Sequence, residues 1–220
     1  MIKEFFIQHK KTIIISLIIT LLPIAAGLIL WDKLPDMVAT HFDSANVPNG
    51  WSSKGFAVIG IPAILAALEL FCIVVCSIDP KKKNMGFKGI EVVLWIMPAT
   101  SILVSVITLC HGLGADVRVG TLCCIFIGVM LIVLGNYLPK NGQNFSFGVR
   151  TSWALSDEEN WNRTNRAAGY AFIIGGIVII LTSWFQKIWI MAAVIALIVI
   201  IPIVYSFILY RKTRREHKEY

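Results

Sequence analysis

The sequence predicts an all-α, polytopic membrane protein: a bundle of six transmembrane helices with both termini in the cytoplasm. Three observations carry this. Of 220 residues, 57% are hydrophobic and only 15% charged, where soluble domains run near 45–50% apolar and about 25% charged; mean hydropathy is +0.75. The apolar residues fall in six continuous runs, each close to the ~20 residues that a helix needs to cross a bilayer and without the alternation of a membrane β-barrel. The net charge of +7 lies in the connections between the runs. It therefore reads as topology and not as a nucleic-acid footprint, and no direct nucleic-acid binding is expected.

The runs are Thr12–Trp31, Phe56–Ile78, Ile90–Leu109, Val119–Leu138, Ala167–Phe185 and Ile188–Tyr210. The first follows Lys3, Lys10 and Lys11, as a signal peptide does. Its apolar core is longer than the ~7–15 residues of such a segment, and Ala25-Ala26 lies inside it, so it reads as an uncleaved span. Sixteen of the 20 Lys and Arg fall in the N-terminal tail, the second and fourth loops and the C-terminal tail, the last with Arg211, Lys212, Arg214, Arg215 and Lys218. The four on the other side are Lys33, Lys54, Arg118 and Lys187. Positive charge stays inside, so both termini and those two loops are expected in the cytoplasm. The implied division is 1–31 (tail and first span), 32–55 (outer loop), 56–138 (spans two to four), 139–166 (inner loop) and 167–220 (last two spans and basic tail).

Two connections are long enough to carry polar chemistry. The outer one runs from Asp32 to Gly55. Pro35, Pro48, Asn49-Gly50 and Ser52-Ser53 are turn formers, which predicts a compact cap and not a long helix. Leu34, Met37, Val38, Phe42 and Trp51 give it apolar surface to lay on the membrane face. His41 and Asp43, with His111 and Asp116 of the third loop, have the chemistry of metal ligands but no ligand spacing. Hydrogen bonding within the turn is the alternative, and no metal or other cofactor is expected.

The inner connection runs from Pro139 to Arg166. Ser156 followed by Glu159 has the pattern of a capping box, and Asp157, Glu158 and Glu159 place negative charge at a helix N-terminus. A helix is expected from Asp157, running or bending into the fifth span. Trp161, Thr164, Asn165 and Ala168 share one of its faces by 3.6-residue periodicity, with Trp161 at headgroup depth. Arg150, Arg163 and Arg166 face two alternatives: pairing with the three acids, or touching lipid phosphate. Asn136 reads as a hydrogen bonder at a helix end.

Within the spans Glu69 stands apart. An ionisable group near mid-membrane costs several kcal/mol unless it is protonated, paired or facing a cavity. It is either functional or a carboxyl bonded to Ser101, Ser105 or Thr108 of the third span. Pro23, Pro62, Pro98 and Pro202 are expected to bend their helices. Cys72, Cys76, Cys110, Cys123 and Cys124 have no C-x-x-C spacing and read as packing residues. The zinc-protease, serine-hydrolase, P-loop and dinucleotide-binding motifs are absent from the sequence, and the chain is not expected to be an enzyme.

Read as strings, both long loops resemble known segments. Leu34-Pro35, His41-Phe42-Asp43 and Gly50-Trp51-Ser52-Ser53-Lys54 resemble a small domain of unknown function that follows the first span of many Gram-positive membrane proteins. Gly135-Asn136-Tyr137-Leu138-Pro139-Lys140, Asn144, Gly148-Val149-Arg150-Thr151, Trp153, Leu155, Glu159, Trp161, Thr164, Arg166 and Gly169 resemble the signature of the SdpI-type immunity family. Three positions depart from those patterns. Ser152 stands where the family has Pro, and Asn165 where it has His, which removes a titratable group. Asn46 or Val47 stands for an expected Gly.

The resemblance implies a bacterial cell-membrane immunity protein giving resistance to a secreted antimicrobial peptide toxin, and possible signalling by recruitment of a cytosolic repressor. On that reading Pro35, His41, Phe42, Asp43, Trp51 and Lys54 recognise the toxin. Asn136, Asn144, Arg150, Thr151, Trp153, Glu159, Trp161, Thr164 and Arg166 bind the partner or build the loop. The alternative from a different class is a transporter of a small solute, proton or peptide that uses Glu69.

Overall fold

Continuous apolar sequence without Gly or Pro clusters propagates helix, because inside a bilayer every backbone polar group must be satisfied within its own segment. The computed structural model, described over residues 2–185 and 187–216, follows this rule. Its elements are α1 (Ile2–Ile29), β1 (Met37–Phe42), β2 (Pro48–Ser53), α2 (Ile61–Ile78), α3 (Phe87–Gly112), α4 (Val119–Tyr137), α5 (Ser152–Ser156), α6 (Glu158–Thr182) and α7 (Ile188–Glu216). Six helical stretches are long and apolar enough to span a membrane. Each of the six runs has its helix, and the chain is a multi-pass membrane protein. Lys218, counted with the basic tail, lies outside the described residues.

The span boundaries shift outward. α1 begins at Ile2 and takes in the lysine-bearing tail, and the fifth spanning stretch begins at Glu158, well before Ala167. Helix propagation costs little beyond the bilayer edge once an apolar span has nucleated it. Pro62 sits in the first turn of α2. Just ahead of it, Phe56–Gly60 forms a wider π-type turn.

The chain divides into two compact units. The first comprises Met1–Ser77 and Val93–Cys123. Here α1 approaches the π-turn closely: a Cβ on Gly27 would lie 2.4 Å from a Val58 methyl. The second comprises Ile78–Val92 and Cys124–Tyr220, with α6 packed along α7. In this unit α4 and α6 cross on glycine. A Cβ on Gly135 would lie 2.7 Å from the Gly169 carbonyl oxygen, and one on Gly128 the same 2.7 Å from that of Gly176. Each pair repeats after two helical turns, so one seam of each helix is bare backbone.

One element departs from the all-α expectation. The outer loop is an antiparallel hairpin, β1 against β2, with Val38 opposite Ser52 and Ala39 opposite Trp51. Isolated hairpins are marginal in water. This one is backed by Leu34 and Val38, which are 4% and 2% exposed and face Gly112 at the end of α3. Those two residues, expected on the membrane face, are the hairpin's inner packing.

Candidate functional site

The hairpin is built from side-chain hydrogen bonds that the sequence supplies locally. Asp43 opens the turn: its Oδ1 accepts the backbone N–H groups of Ala45 and Val47, both at 2.9 Å. Asn46 adopts φ +65, the left-handed region that Asn tolerates better than most residues, which explains why glycine is the usual occupant near this point. Its amide also donates to the Val117 carbonyl at 2.8 Å, tying the turn to the α3–α4 connection. His41 Nδ1 pairs with Asn49 Oδ1. Among the described residues no group of three or more His, Cys, Asp or Glu converges as metal ligands would, and His41 and Asp43 hold turn bonds instead.

At the hairpin's base Lys54 reaches Asp36 at 2.9 Å and lies 5.4 Å from the centre of the Trp31 ring. Phe42 packs edge-on to His111, ring centres 5.0 Å apart. Pro35 is exposed beside Leu34. Three large apolar side chains also face outward: Trp51 is 56% exposed, and Met37 and Val47 each 55%. The structure therefore separates the six expected recognition residues. Asp43, His41 and Lys54 hold the hairpin's shape, Phe42 seats it, and Trp51 is presented.

The inner loop is a hydrogen-bonded knot against α6 and α7. Thr151 caps α5, accepting Ala154 N–H at 3.2 Å, and its hydroxyl lies 2.7 Å from that of Ser206. Asn160 Oδ1 accepts from Ser206 Oγ at 2.8 Å and from Thr164 Oγ1 at 2.9 Å, while its amide donates to the Ser206 carbonyl at 2.9 Å. Trp161 is fully buried, with Nε1 donating to the Asn141 carbonyl at 3.0 Å. Asn165 accepts Val149 N–H at 2.8 Å, and Asn144 accepts Ser146 and Phe147 N–H at 2.9 and 2.7 Å.

Two expectations are corrected here. Trp161 is enclosed by the protein and not presented on an interfacial face, because the loop folds over the face it shares with Thr164, Asn165 and Ala168, all buried. The helix cap is Asp157, accepting Glu159 N–H at 2.9 Å, because Ser156 is spent on α5 and donates to the Trp153 carbonyl at 3.1 Å. Arg163 pairs with Glu159 at 2.8 Å, one helical turn away, an exposed contact worth little in stability. Asn136 accepts from Lys140 at 3.1 Å at the end of α4. Trp153 stacks on Phe207 and Tyr210 of α7, and Arg150, Glu159 and Arg166 are exposed.

The sequence reading missed Asn141, Gln143, Asn160 and Ser206, which join these strands of chain. Gln143 donates to the Ala154 and Leu155 carbonyls at 2.9 and 2.8 Å, and Asn141 accepts Gly86 N–H at 3.0 Å. A run of Asn and Gln in an inner loop was the available signal.

Glu69 is 1% exposed. Its partner comes from α1: Thr20 Oγ1 lies 2.5 Å from Oε2, and Ser101 of α3 donates to the Thr20 carbonyl at 2.7 Å. Ser105 and Thr108 do not bond it, and among the described residues Glu69 Oε1 and Ser105 Oγ have no hydrogen-bond partner. Glu69→Gln keeps a carbonyl oxygen that can accept from the Thr20 hydroxyl, and its amide can instead donate to that oxygen while the threonine proton goes to the Ser16 carbonyl, 3.0 Å away. The variant is expected to unfold within about 0.5 kcal/mol of the parent in detergent, and Glu69→Ala to fall well below it.

The comparisons follow the two loops. Residues 140–206 match the SdpI/YfhL protein family. Residues 18–66, spanning the end of α1, the hairpin and the start of α2, match a domain of unknown function, DUF1648. The chain is 29% identical over 209 residues to the Immunity protein SdpI of Bacillus subtilis (strain 168), covering 92% of this chain and 97% of that protein. No solved structure matches it. Carrying both segments in one six-span chain and aligning with that relative almost end to end, the chain is similar to SdpI proteins along nearly its whole length.

Proposed function

We propose that the chain is an immunity protein of the cell membrane, giving resistance to a secreted, apolar antimicrobial peptide that it meets through the hairpin. The observation carrying this reading is Trp51, a large aromatic held outward on a small, internally braced sheet beside a membrane-spanning helix. Exposed aromatic surface on a rigid support is a binding anchor: it buries a large area at small entropic cost. Met37 and Val47 extend the apolar surface. The positive-inside count supports placing the hairpin outside the cell and both termini inside, with the division at 32–55 and 139–166 separating an outer recognition segment from an inner signature loop.

On the inner side the buried residues Asn144, Trp161 and Thr164 serve the loop's own architecture. Arg150, Glu159 and Arg166 are left as its exposed charged contacts for a cytosolic repressor. Nothing in this reading requires catalysis, a cofactor or nucleic-acid contact.

The test is a challenge assay in a sensitive strain that lacks its own immunity protein, exposed to supernatant from a toxin-secreting culture. Trp51→Ala should lose most of the protection while its membrane abundance stays at the parent level, since the side chain faces outward. Full protection by that variant would remove the hairpin from the recognition step.

A further inference from the structure

The α2–α3 connection lies outside both matched segments, yet its Asp79 is 3% exposed. One carboxylate oxygen accepts Lys81 N–H at 2.8 Å. The other accepts Phe145 N–H at 2.9 Å and the Ser146 hydroxyl at 2.6 Å. Three donors on one buried carboxylate form a charge-assisted set of the strong kind, and two of them belong to the signature loop. The same residue that Asp79 fixes through its N–H, Phe145, offers its carbonyl to Arg150 Nη1. Lys81 completes the arrangement: its ammonium pairs with Gln143 Oε1 and lies 5.7 Å from the Phe145 ring centre. The Phe145 ring is 43% exposed.

We propose that Asp79 is a positioning residue for Arg150, acting through Phe145. A free arginine samples many rotamers, and a carbonyl on a fixed loop selects one. The buried carboxylate thereby holds two cations and one exposed ring, Lys81, Arg150 and Phe145, as a single surface. That surface suits an acidic, partly apolar segment of a cytosolic protein. The inference rests on reading Arg150 as a partner contact.

In Asp79→Asn one oxygen becomes an amide that cannot accept and the charge is lost: either the Lys81 N–H or the Phe145 N–H and Ser146 hydroxyl lose their acceptor, and whatever bonds remain are no longer charge-assisted. Arginine guanidinium NMR of the full-length protein in nanodiscs reads the consequence. Arg150, assigned by its loss in Arg150→Lys, should show hindered guanidinium rotation that becomes free in Asp79→Asn. Arg163, paired with Glu159, should not change. An unchanged Arg150 signal overturns the proposal, as does equal loosening of both arginines, which marks general destabilisation. Should Asp79→Asn not accumulate in membranes, Ser146→Ala removes one donor from the same oxygen and is read in the same way.

Binding of an acidic, phenylalanine-bearing peptide to the nanodisc-held protein supplies the second arm. Arg150→Ala should weaken it, and adding Asp79→Asn should weaken it no further. A further equal loss in the double variant contradicts positioning. Unchanged peptide binding by Arg150→Ala would instead remove the partner reading of that arginine, leaving the guanidinium signal to decide the role of Asp79.

Discussion

Leucine at Gly135 is expected to abolish the folded protein. A Cβ there meets the Gly169 oxygen at 2.7 Å and the Phe172 Cβ at 2.9 Å, before any further side-chain atom is added. The obstacle is backbone, which cannot rotate away, so α4 and α6 must separate. Separation also loosens the second close approach, where a Cβ on Gly176 would lie 2.5 Å from the Gly128 carbonyl. In a bilayer, helices associate through packing and close backbone contact and gain little from apolar burial, so a lost seam has no compensation from lipid. The cost is about 3 kcal/mol from overpacking alone. Detergent extraction followed by size-exclusion chromatography should show the monodisperse peak gone in Gly135→Leu and in Gly169→Leu. Gly120, with nothing within 4 Å of its would-be Cβ, provides the control: Gly120→Ala should run as the parent.

The second large effect concerns Trp161. The ring is fully buried, and its indole N–H satisfies the Asn141 carbonyl at 3.0 Å. Asn141 in turn bonds Gly86 N–H and the Tyr137 carbonyl, so the tryptophan closes a chain of contacts from the α2–α3 connection through the loop to α6. Gly148, at φ +135, passes directly over the ring; a Cβ there would lie 2.8 Å from it. Trp161→Ala should cost about 3–5 kcal/mol through the cavity. Trp161→Phe keeps most of the volume but strands the Asn141 carbonyl, for about 1–3 kcal/mol. Thermal unfolding in detergent should rank the parent above the phenylalanine variant and that above the alanine variant. Equal midpoints for all three would mean that the loop is not packed on this ring.

What could be read from the sequence divides by range. The six spans were legible because apolar run length against bilayer thickness is a one-dimensional signal. The shared face of Trp161, Thr164, Asn165 and Ala168 was legible from helical periodicity, but its partner was not. A tryptophan near a span end suits the interface and a protein interior equally well, and only the folded loop decides. The hairpin escaped because Met37–Phe42 and Pro48–Ser53 lack clean alternation. Val38 and Ala39, adjacent in β1, are both buried, which breaks the alternation of an exposed strand. The cap at Asp157 was missed by one residue because Ser156 has a competing use in α5. Glu69 was legible as an anomaly, while its Thr20 partner, 49 residues away, was not. Asp79 had no distinctive local signature, because two of its three donors, on Phe145 and Ser146, reach it only after the chain has folded back through two more spans.

Membrane immunity is decided by survival. A sensitive strain lacking its own immunity protein, expressing this chain, is exposed to graded doses of the toxin-secreting culture's supernatant. Growth is expected at doses that kill the vector control, with loss of that growth in Trp51→Ala at equal membrane abundance. Killing curves that coincide for the chain and the empty vector would contradict it.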